Sequence, residues 1–202
     1  MDNAKEFFNQ AANCYKHCQD NRSSMEMYLK CAECESDEGF KANYIRDAGQ
    51  VIKNLDTEQY IKLISHAIEL YSISGRNTQA SSLSKECAEK LEEDYNYEDA
   101  LKFYEKAAQL YEMDNSVTYA NQMNAKWADL SVLVDNMKAI AKIIKTYDKI
   151  GKKYMSQPLI KSSAKDYFFK ACLCYLANDD MPGAKTAVEN YTYEDPNFDT
   201  SK

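Results

Sequence analysis

Residues 100–112 read ALKFYEKAAQLYE, a segment in which small and aromatic side chains recur at helical spacing. Ala100, Tyr104 and Ala107 fall on one face of an α-helix, because residues three and four positions apart are neighbours on its surface. Small side chains let a second helix approach closely, and an aromatic ring one turn away fills the adjacent groove. The segment therefore predicts a helix that packs tightly against a neighbouring helix.

Equivalent small residues recur along the chain in two columns. The first column contains Cys31, Ala67, Ala107 and Ala187, with the bulkier Ile143 as its fourth member. The second column contains Ala12, Ala48, Ala88, Ala128 and Cys172. Successive members are about 36 to 44 residues apart, and such a period is typical of solenoids built from helix pairs. We expect one domain over residues 1–202, an all-α, tetratricopeptide-like right-handed solenoid of antiparallel helical hairpins that forms a twisted sheet of about ten helices.

Tyrosines and turn-forming residues refine this prediction. A tyrosine stands four residues after each later member of the first column, at Tyr71, Tyr111, Tyr147 and Tyr191. Helices are expected to begin or end near Asn21, Asp56, Gly75, Asn96, Asn115, Asp135, Pro158 and Pro182. Gly75 suits a left-handed helix stop, and Pro182 suits the first turn of a helix.

The composition favours a helical protein of the cytosol. The chain has only 5 Gly and 3 Pro in 202 residues, too few for the turns of a many-stranded β fold. No apolar run approaches the roughly 18 residues of a membrane-spanning helix, and Lys5 and Glu6 interrupt the region where a signal peptide would be apolar. The odd number of cysteines, 7, favours free thiols in a reducing compartment. We therefore expect a cytoplasmic protein.

Catalytic motifs are absent from the sequence. The closest two glycines, Gly39 and Gly49, are too far apart for a phosphate-binding loop, and neither G-x-S-x-G nor H-E-x-x-H occurs. His17 and His66, the only histidines, fit helix surfaces better than catalytic roles, because a general base needs a positioned partner. The sequence predicts a protein that is not an enzyme and that needs no cofactor.

The formal charge is unevenly distributed along the chain. Its total is −7, but residues 136–170 contain nine lysines and only two acidic residues, Asp148 and Asp166. That segment carries +7 and leaves −14 for the rest of the chain. A net acidic chain binds nucleic acid poorly, because affinity for phosphates needs an excess of Lys and Arg. The basic segment predicts contact with an acidic protein or with an anionic membrane surface.

Within this segment the lysines recur at helical spacing. The basic stripe consists of Lys138, Lys142, Lys145, Lys149 and Lys152. The opposing apolar face consists of Ile140, Ile143, Ile144, Tyr147 and Ile150. Such a pattern indicates an amphipathic helix whose stripe is either a solvated polar back or an additional basic face that docks an acidic partner.

Four cysteines near the start of the chain allow a metal-site interpretation. Cys14-x3-Cys18 and Cys31-x2-Cys34 could bring four thiols together on a helical hairpin as a tetrahedral zinc site. The competing interpretation is packing, because Cys31 and Cys172 stand in the small-residue columns, where Cys acts as a small buried side chain. Both pairs are also expected inside helices instead of tight turns. We therefore predict free thiols and no metal.

Several segments resemble the soluble NSF-attachment protein (SNAP) family. Residues 158–180, PLIKSSAKDYFFKACLCYLANDD, are similar to a hairpin of its α-type members, and AKDYFFKA is highly specific to them. AANCYK at residues 11–16, DAGQVIK at 47–53, AIELYSISGR at 67–76 and the segment at 100–112 extend the resemblance over nearly the whole chain. The resemblance implies an adaptor that lies against the four-helix SNARE complex, of syntaxin-type and related proteins, and recruits the hexameric ATPase NSF to disassemble it.

The resemblance also implies a binding site. Members of the family grip the acidic SNARE bundle with scattered Lys and Arg, and Lys53, Arg76, Lys126 and Lys165 retain a basic residue at such positions. Gln19, Ser82 and Gln122 stand where the family usually has Lys. An adaptor of this kind is expected to be cytoplasmic and to associate peripherally with membranes through SNAREs in vesicle fusion and protein transport.

Two parts of the family pattern have no counterpart in these 202 residues. They are an N-terminal apolar loop and a C-terminal helical bundle that stimulates NSF, so we expect this chain alone not to support SNARE disassembly. Two alternative functions stay open. One is a generic tetratricopeptide-like scaffold that holds a peptide in its groove, and the other is a zinc or thiol protein that uses the four N-terminal cysteines.

Overall fold

The computed structural model describes residues 2–134, 137–195 and 198. Over these residues the chain forms helices and no strand, so the all-α prediction is confirmed. The helices are α1 Asp2–His17, α2 Asn21–Glu33, α3 Glu38–Ile52, α4 Thr57–Ile73, α5 Asn77–Glu93, α6 Tyr97–Met113, α7 Val117–Leu133, α8 Ile140–Met155, α9 Ala164–Ala177 and α10 Met181–Glu194. Short 3₁₀ helices at Met137–Ala139 and Lys161–Ser163 precede α8 and α9. None of the helices described here is long and apolar enough to span a membrane.

The chain divides into two compact units, residues 1–120 and 121–202. In the first unit each helix from α1 to α6 packs against the next, as expected for consecutive helical hairpins joined by short turns. In the second unit α8 packs against α9, and α9 packs against α10. Helix α7 begins in the first unit, and its residues from Asn121 onward belong to the second. A single domain over the whole chain stays a prediction.

The two small-residue columns lie in the helix contacts, as predicted. All ten members are buried, and none is more than 7% exposed. The tyrosines that follow the first column, from Tyr71 to Tyr191, are buried as well. Small side chains at these positions therefore let the helices approach closely, and the aromatic rings fill the space beside them.

The hydroxyl groups of three buried tyrosines donate hydrogen bonds to polar side chains on neighbouring helices. The Tyr71 hydroxyl donates a hydrogen bond to Asn43 Oδ1 at 2.6 Å, and the Tyr28 hydroxyl donates to Asn13 Oδ1 at 2.9 Å. The Tyr104 hydroxyl donates to a carboxylate oxygen of Glu92. A buried hydroxyl without a partner would destabilise the fold, so these bonds let the rings fill the groove without that cost.

Most predicted helix ends are confirmed. Asp56 caps α4, and its carboxylate accepts a hydrogen bond from the backbone N–H of Gln59 at 2.9 Å. Pro182 lies in the first turn of α10. The expected break near Asp135 lies outside the described residues. A further break, between α2 and α3, was not predicted, and there Asp37 caps α3.

Five turns between helices share one backbone conformation. Gly75 has φ 72°, as predicted, and its turn is closed by the Arg76 N–H, which donates to the Tyr71 carbonyl at 2.8 Å. The same left-handed conformation is adopted without glycine by Gln19, Tyr95, Asn115 and Asp179. Glycine content alone therefore could not locate most of these turns.

Replacement of Gly151 by alanine is expected to destabilise the second unit by about 1 to 3 kcal/mol. An added Cβ at Gly151 would lie 2.5 Å from Phe168 Cε1, and Phe168 is completely buried and stacked on Tyr191 at 4.2 Å between ring centroids. The thermal midpoint should fall by about 5 °C or more in a unit of this size. The double variant with Phe168→Leu should regain part of the loss, and an unchanged midpoint in Gly151→Ala would contradict this packing.

Candidate protein-binding face

Arg76, one of the four predicted contact residues, is held by two other side chains. It lies immediately before α5, and its guanidinium stacks over the Phe40 ring at 4.7 Å from the centroid. Arg76 Nη2 also lies 3.4 Å from Asp37 Oδ1. Gly39 makes this arrangement possible, because a Cβ there would lie 2.2 Å from Arg76 Nε. Arg76 is thus held against the N-terminus of α3, and its side chain is only 28% exposed.

Lys53 lies at the other end of the same helix. It is the C-terminal cap of α3 and is half-buried. Lys53 borders a shallow polar depression with Lys90 and Tyr95 from the end of α5 and the turn that follows it. Lys90 Nζ pairs there with Asp94 Oδ1 at 2.7 Å. At a rise of about 1.5 Å per residue, the two ends of α3 place Arg76 and Lys53 about 20 Å apart.

Lys126 and Lys165 belong to the second unit and are exposed. Lys126 lies in the middle of α7, and Lys165 lies in the first turn of α9. All four predicted contact residues therefore lie on, or cap, odd-numbered helices, which are the first helices of their hairpins.

The predicted basic stripe lies on α8, the second helix of its hairpin. Lys138, Lys142, Lys145 and Lys149 are all exposed. The opposing face is buried at Ile143, Ile144, Tyr147 and Ile150, whereas Ile140 is only partly buried. The amphipathic helix predicted from the sequence is therefore confirmed.

Part of the stripe is engaged within the protein. Lys142 Nζ lies 4.3 Å from the centroid of the Trp127 ring, and Lys149 also takes part in an interaction within the chain. Lys152 Nζ pairs with Asp148 Oδ2 at 3.0 Å. These contacts support the interpretation of the stripe as the polar back of α8.

An acidic residue on α7 connects three helices of the second unit, and sequence reasoning missed it. Asp129 Oδ1 accepts a hydrogen bond from the Tyr147 hydroxyl at 2.7 Å and lies 2.6 Å from Lys170 Nζ. Burial is the largest cause that raises the pKa of Tyr147 above its ordinary value, and the hydrogen bond to this carboxylate is the second. The only sign of this contact in the sequence was opposite charge. Lys170 belongs to the basic segment, and Asp129 is an acidic residue that lies outside that segment.

The four N-terminal cysteines do not form a cluster. All seven cysteines are free thiols, and Cys14 and Cys18 are exposed while Cys31 is buried in its column. Cys18 and Cys34 lie just beyond the ends of α1 and α2, so the expectation that both pairs lie inside helices was wrong. Within the described ranges, no group of three or more His, Cys, Asp or Glu is placed to hold a metal ion.

Similar folds occur among solved structures. A putative kinesin light chain from Podosopora anserina with nearly identical TPR-like repeats superposes with a TM-score of 0.52, covering 96% of this chain and 97% of that one at 10% identity. The MamA protein superposes with a TM-score of 0.50, covering 100% and 97% at 13% identity. These similarities confirm the tetratricopeptide-like fold.

Closer relatives are found by sequence. The α-soluble NSF attachment protein of Homo sapiens is 32% identical over 206 residues, which is 100% of this chain and 68% of the relative. That of Vitis vinifera is 30% identical over 200 residues, or 98% and 68%. The vesicular-fusion protein SEC17 of Komagataella phaffii is 29% identical over 206 residues, or 100% and 69%. The family model for "Soluble NSF attachment protein, SNAP" matches residues 1–202. The chain belongs to the soluble NSF attachment protein family.

Proposed function

We propose that this chain is an adaptor that binds assembled SNARE complexes and helps recruit the ATPase NSF for their disassembly. The observation that carries this proposal is the position of Lys53, Arg76, Lys126 and Lys165 on, or as caps of, the first helices of successive hairpins. These residues match the basic contact positions of the family, and Arg76 is already oriented by Phe40 and Asp37. Membership of the family, whose relatives are named as attachment and vesicular-fusion proteins, supports the same role.

The proposed interaction is electrostatic and distributed over several contacts. Exposed ion pairs contribute roughly 0.2 to 1 kcal/mol each, so four acting together would contribute about 1 to 4 kcal/mol. The affinity should fall as salt is added, because counterions screen exposed charges. Such weak, separate contacts suit an adaptor that must be released after each cycle. The chemistry of the cycle, ATP hydrolysis, would belong to NSF, and the adaptor would work in the cytosol at membranes that carry SNAREs.

The test is a pull-down with an assembled four-helix SNARE complex beside its separate subunits. The proposal predicts retention of this chain on the assembled complex, weak retention on single subunits, and loss of retention at high salt. Equal retention on assembled and separate subunits would contradict recognition of the bundle. The absence of any retention at low salt would overturn the proposed function.

Replacement of Phe40 by alanine should weaken binding to the SNARE complex by about 2- to 5-fold. The change removes the ring that orients the Arg76 guanidinium, a stacking interaction of about 0.5 to 1 kcal/mol. Phe7→Ala is a suitable control, because Phe7 is an exposed phenylalanine on α1 and no basic residue of the predicted site lies on that helix. An affinity loss of the same size in both variants would show that Phe40 does not act through Arg76.

A further inference from the structure

An apolar cavity opens in the second unit. It has a volume of about 360 Å³ and lies between the C-terminal halves of α7 and α9 and the N-terminal half of α8. Val132 and Ile143 form part of its wall, and Leu173 and Ala177 lie near its mouth. This volume is at the lower end of the range found for small-ligand pockets, roughly 300 to 1,000 Å³. It is large enough for one long side chain.

Ser131 borders the cavity but offers it no hydrogen-bonding group. The residue is completely buried, and its Oγ makes no hydrogen bond to any residue that the structure describes. Because Ser131 exposes no surface, neighbouring atoms separate its hydroxyl from the open cavity. The surface that a ligand would meet there is mostly apolar.

The charged groups of the cavity already neutralise each other. Lys170 Nζ lies 2.6 Å from Asp129 Oδ1, which also accepts the hydrogen bond from Tyr147. A free anion bound at Lys170 would have to displace this carboxylate. The cavity therefore suits an uncharged, apolar group.

The surroundings of the cavity indicate the kind of partner. Val132 and Leu173 are about half exposed beside it, although both are apolar. On α7, Lys126 lies about two turns before Val132, and on α9, Lys165 lies about two turns before Leu173. The outer surface of α7 and α9 thus changes from basic to apolar along the helices. A complementary partner would be a helix that carries carboxylates next to one long uncharged side chain.

We propose that the cavity receives one long apolar side chain, of methionine length, from a helix of the acidic bundle that Lys126 and Lys165 meet. This inference rests on the proposed function and adds an apolar anchor to its electrostatic contacts. An anchor in a desolvated pocket contributes more affinity than the exposed ion pairs around it. The charges would then guide association, and the anchor would set the residence time.

Two leucines of α9 provide a matched test. Leu173 is 46% exposed and lines the cavity, whereas Leu176 is 44% exposed and does not. Affinities for an assembled SNARE complex should be measured by titration for the wild type, Leu173→Ala and Leu176→Ala. We expect Leu173→Ala to weaken binding about 5- to 20-fold and Leu176→Ala to weaken it less than 2-fold. Equal losses in the two variants would overturn the proposal.

Ala177→Trp tests the cavity by filling it. Ala177 lines the cavity and is exposed, so an indole there should block the cavity and weaken binding to the SNARE complex about 5- to 20-fold without loss of helical content. Unchanged affinity in this variant would overturn the anchor while leaving the proposed function intact.

Two further results would also overturn the anchor. Failure of the wild-type chain to bind the SNARE complex at all would remove the proposed function together with it. If 1-decanol bound in the cavity of the wild type while Leu173→Ala bound the SNARE complex as tightly as the wild type, the cavity would be assigned to a small aliphatic ligand instead.

Discussion

Simultaneous replacement of Arg76 and Lys165 by glutamate is expected to weaken binding to an assembled SNARE complex by about 5- to 150-fold. Each change removes an attraction and introduces a repulsion of similar size, so the two together should cost about 1 to 3 kcal/mol. The loss should shrink as salt is added, because the lost contacts are screened. Affinity measured by titration at low and physiological ionic strength would give both quantities.

The matched control is the double replacement Lys142→Glu and Lys149→Glu on α8. These lysines are exposed and lie in the basic stripe, but both already interact within the protein. We expect the loss of binding free energy in this variant to be less than about a third of the loss in the Arg76 and Lys165 variant. If the α8 variant lost binding and the Arg76 and Lys165 variant did not, the family-based contact residues would be wrong and the local charge pattern would be the better guide.

Folding should remain intact in the Arg76 and Lys165 variant. Lys165 is exposed, so its reversal should leave the melting temperature nearly unchanged. A glutamate at position 76 would lie near Asp37 and lose the stacking on Phe40, which should cost about 1 kcal/mol. Circular dichroism should therefore show unchanged helical content and a melting temperature lowered by only a few degrees.

The second large effect is expected at alkaline pH. Tyr60, Tyr104, Tyr147 and Tyr191 are almost completely buried, and burial is the main cause that raises the pKa of each above 10.0. Burial also raises the pKa of the Cys31 thiol to about 11 and that of Cys87 to about 12.

The sign of the effect follows from these raised pKa values. A group whose pKa is higher in the folded state contributes its full stabilisation below the unfolded pKa, and this contribution is lost as the pH rises toward the folded pKa. Each tyrosine above pH 10 should cost about 1.4 kcal/mol per pH unit, so the four together should cost about 5 kcal/mol per unit. A typical domain stability of about 5 to 15 kcal/mol would be exhausted within one to three units.

We therefore expect cooperative unfolding between about pH 11 and 13. Helical content measured by circular dichroism should fall together with the rise of tyrosinate absorbance from the buried rings. Tyr147→Phe should shift the transition to higher pH, because it removes one titrating hydroxyl. Retention of full helical content after all tyrosines have ionised would contradict the assigned burial.

The small-residue columns could be predicted from the sequence because packing depends on side-chain size at a fixed helical spacing. Ala67, Ala107 and Ala128 must be small wherever two helices approach closely, and all three are completely buried. The places of most turns were predicted as well, but the left-handed conformation was predicted only at Gly75, and it also occurs at Tyr95 and Asn115. Asparagine adopts this conformation readily, whereas at Tyr95 the fold overrides the local preference of the residue.

The environment of the contact residues could not be predicted from local patterns. Arg76 and Phe40 are 36 residues apart, and they meet because that distance brings successive hairpins into register. No local pattern in the sequence indicates the stacking that leaves the Arg76 side chain only partly exposed. The same limit applies to Asp129, whose partners Tyr147 and Lys170 come from α8 and α9.

The most direct measurement is zero-length carbodiimide crosslinking of this chain to an assembled SNARE complex, followed by mass spectrometry. The reagent joins a lysine amine only to a carboxylate that it touches. We predict crosslinks from Lys53, Lys126 and Lys165 to acidic residues on the outside of the bundle, with few from Lys138, Lys142, Lys145 and Lys149. Crosslinks confined to the α8 lysines, with none from Lys53, Lys126 or Lys165, would contradict the proposed binding face.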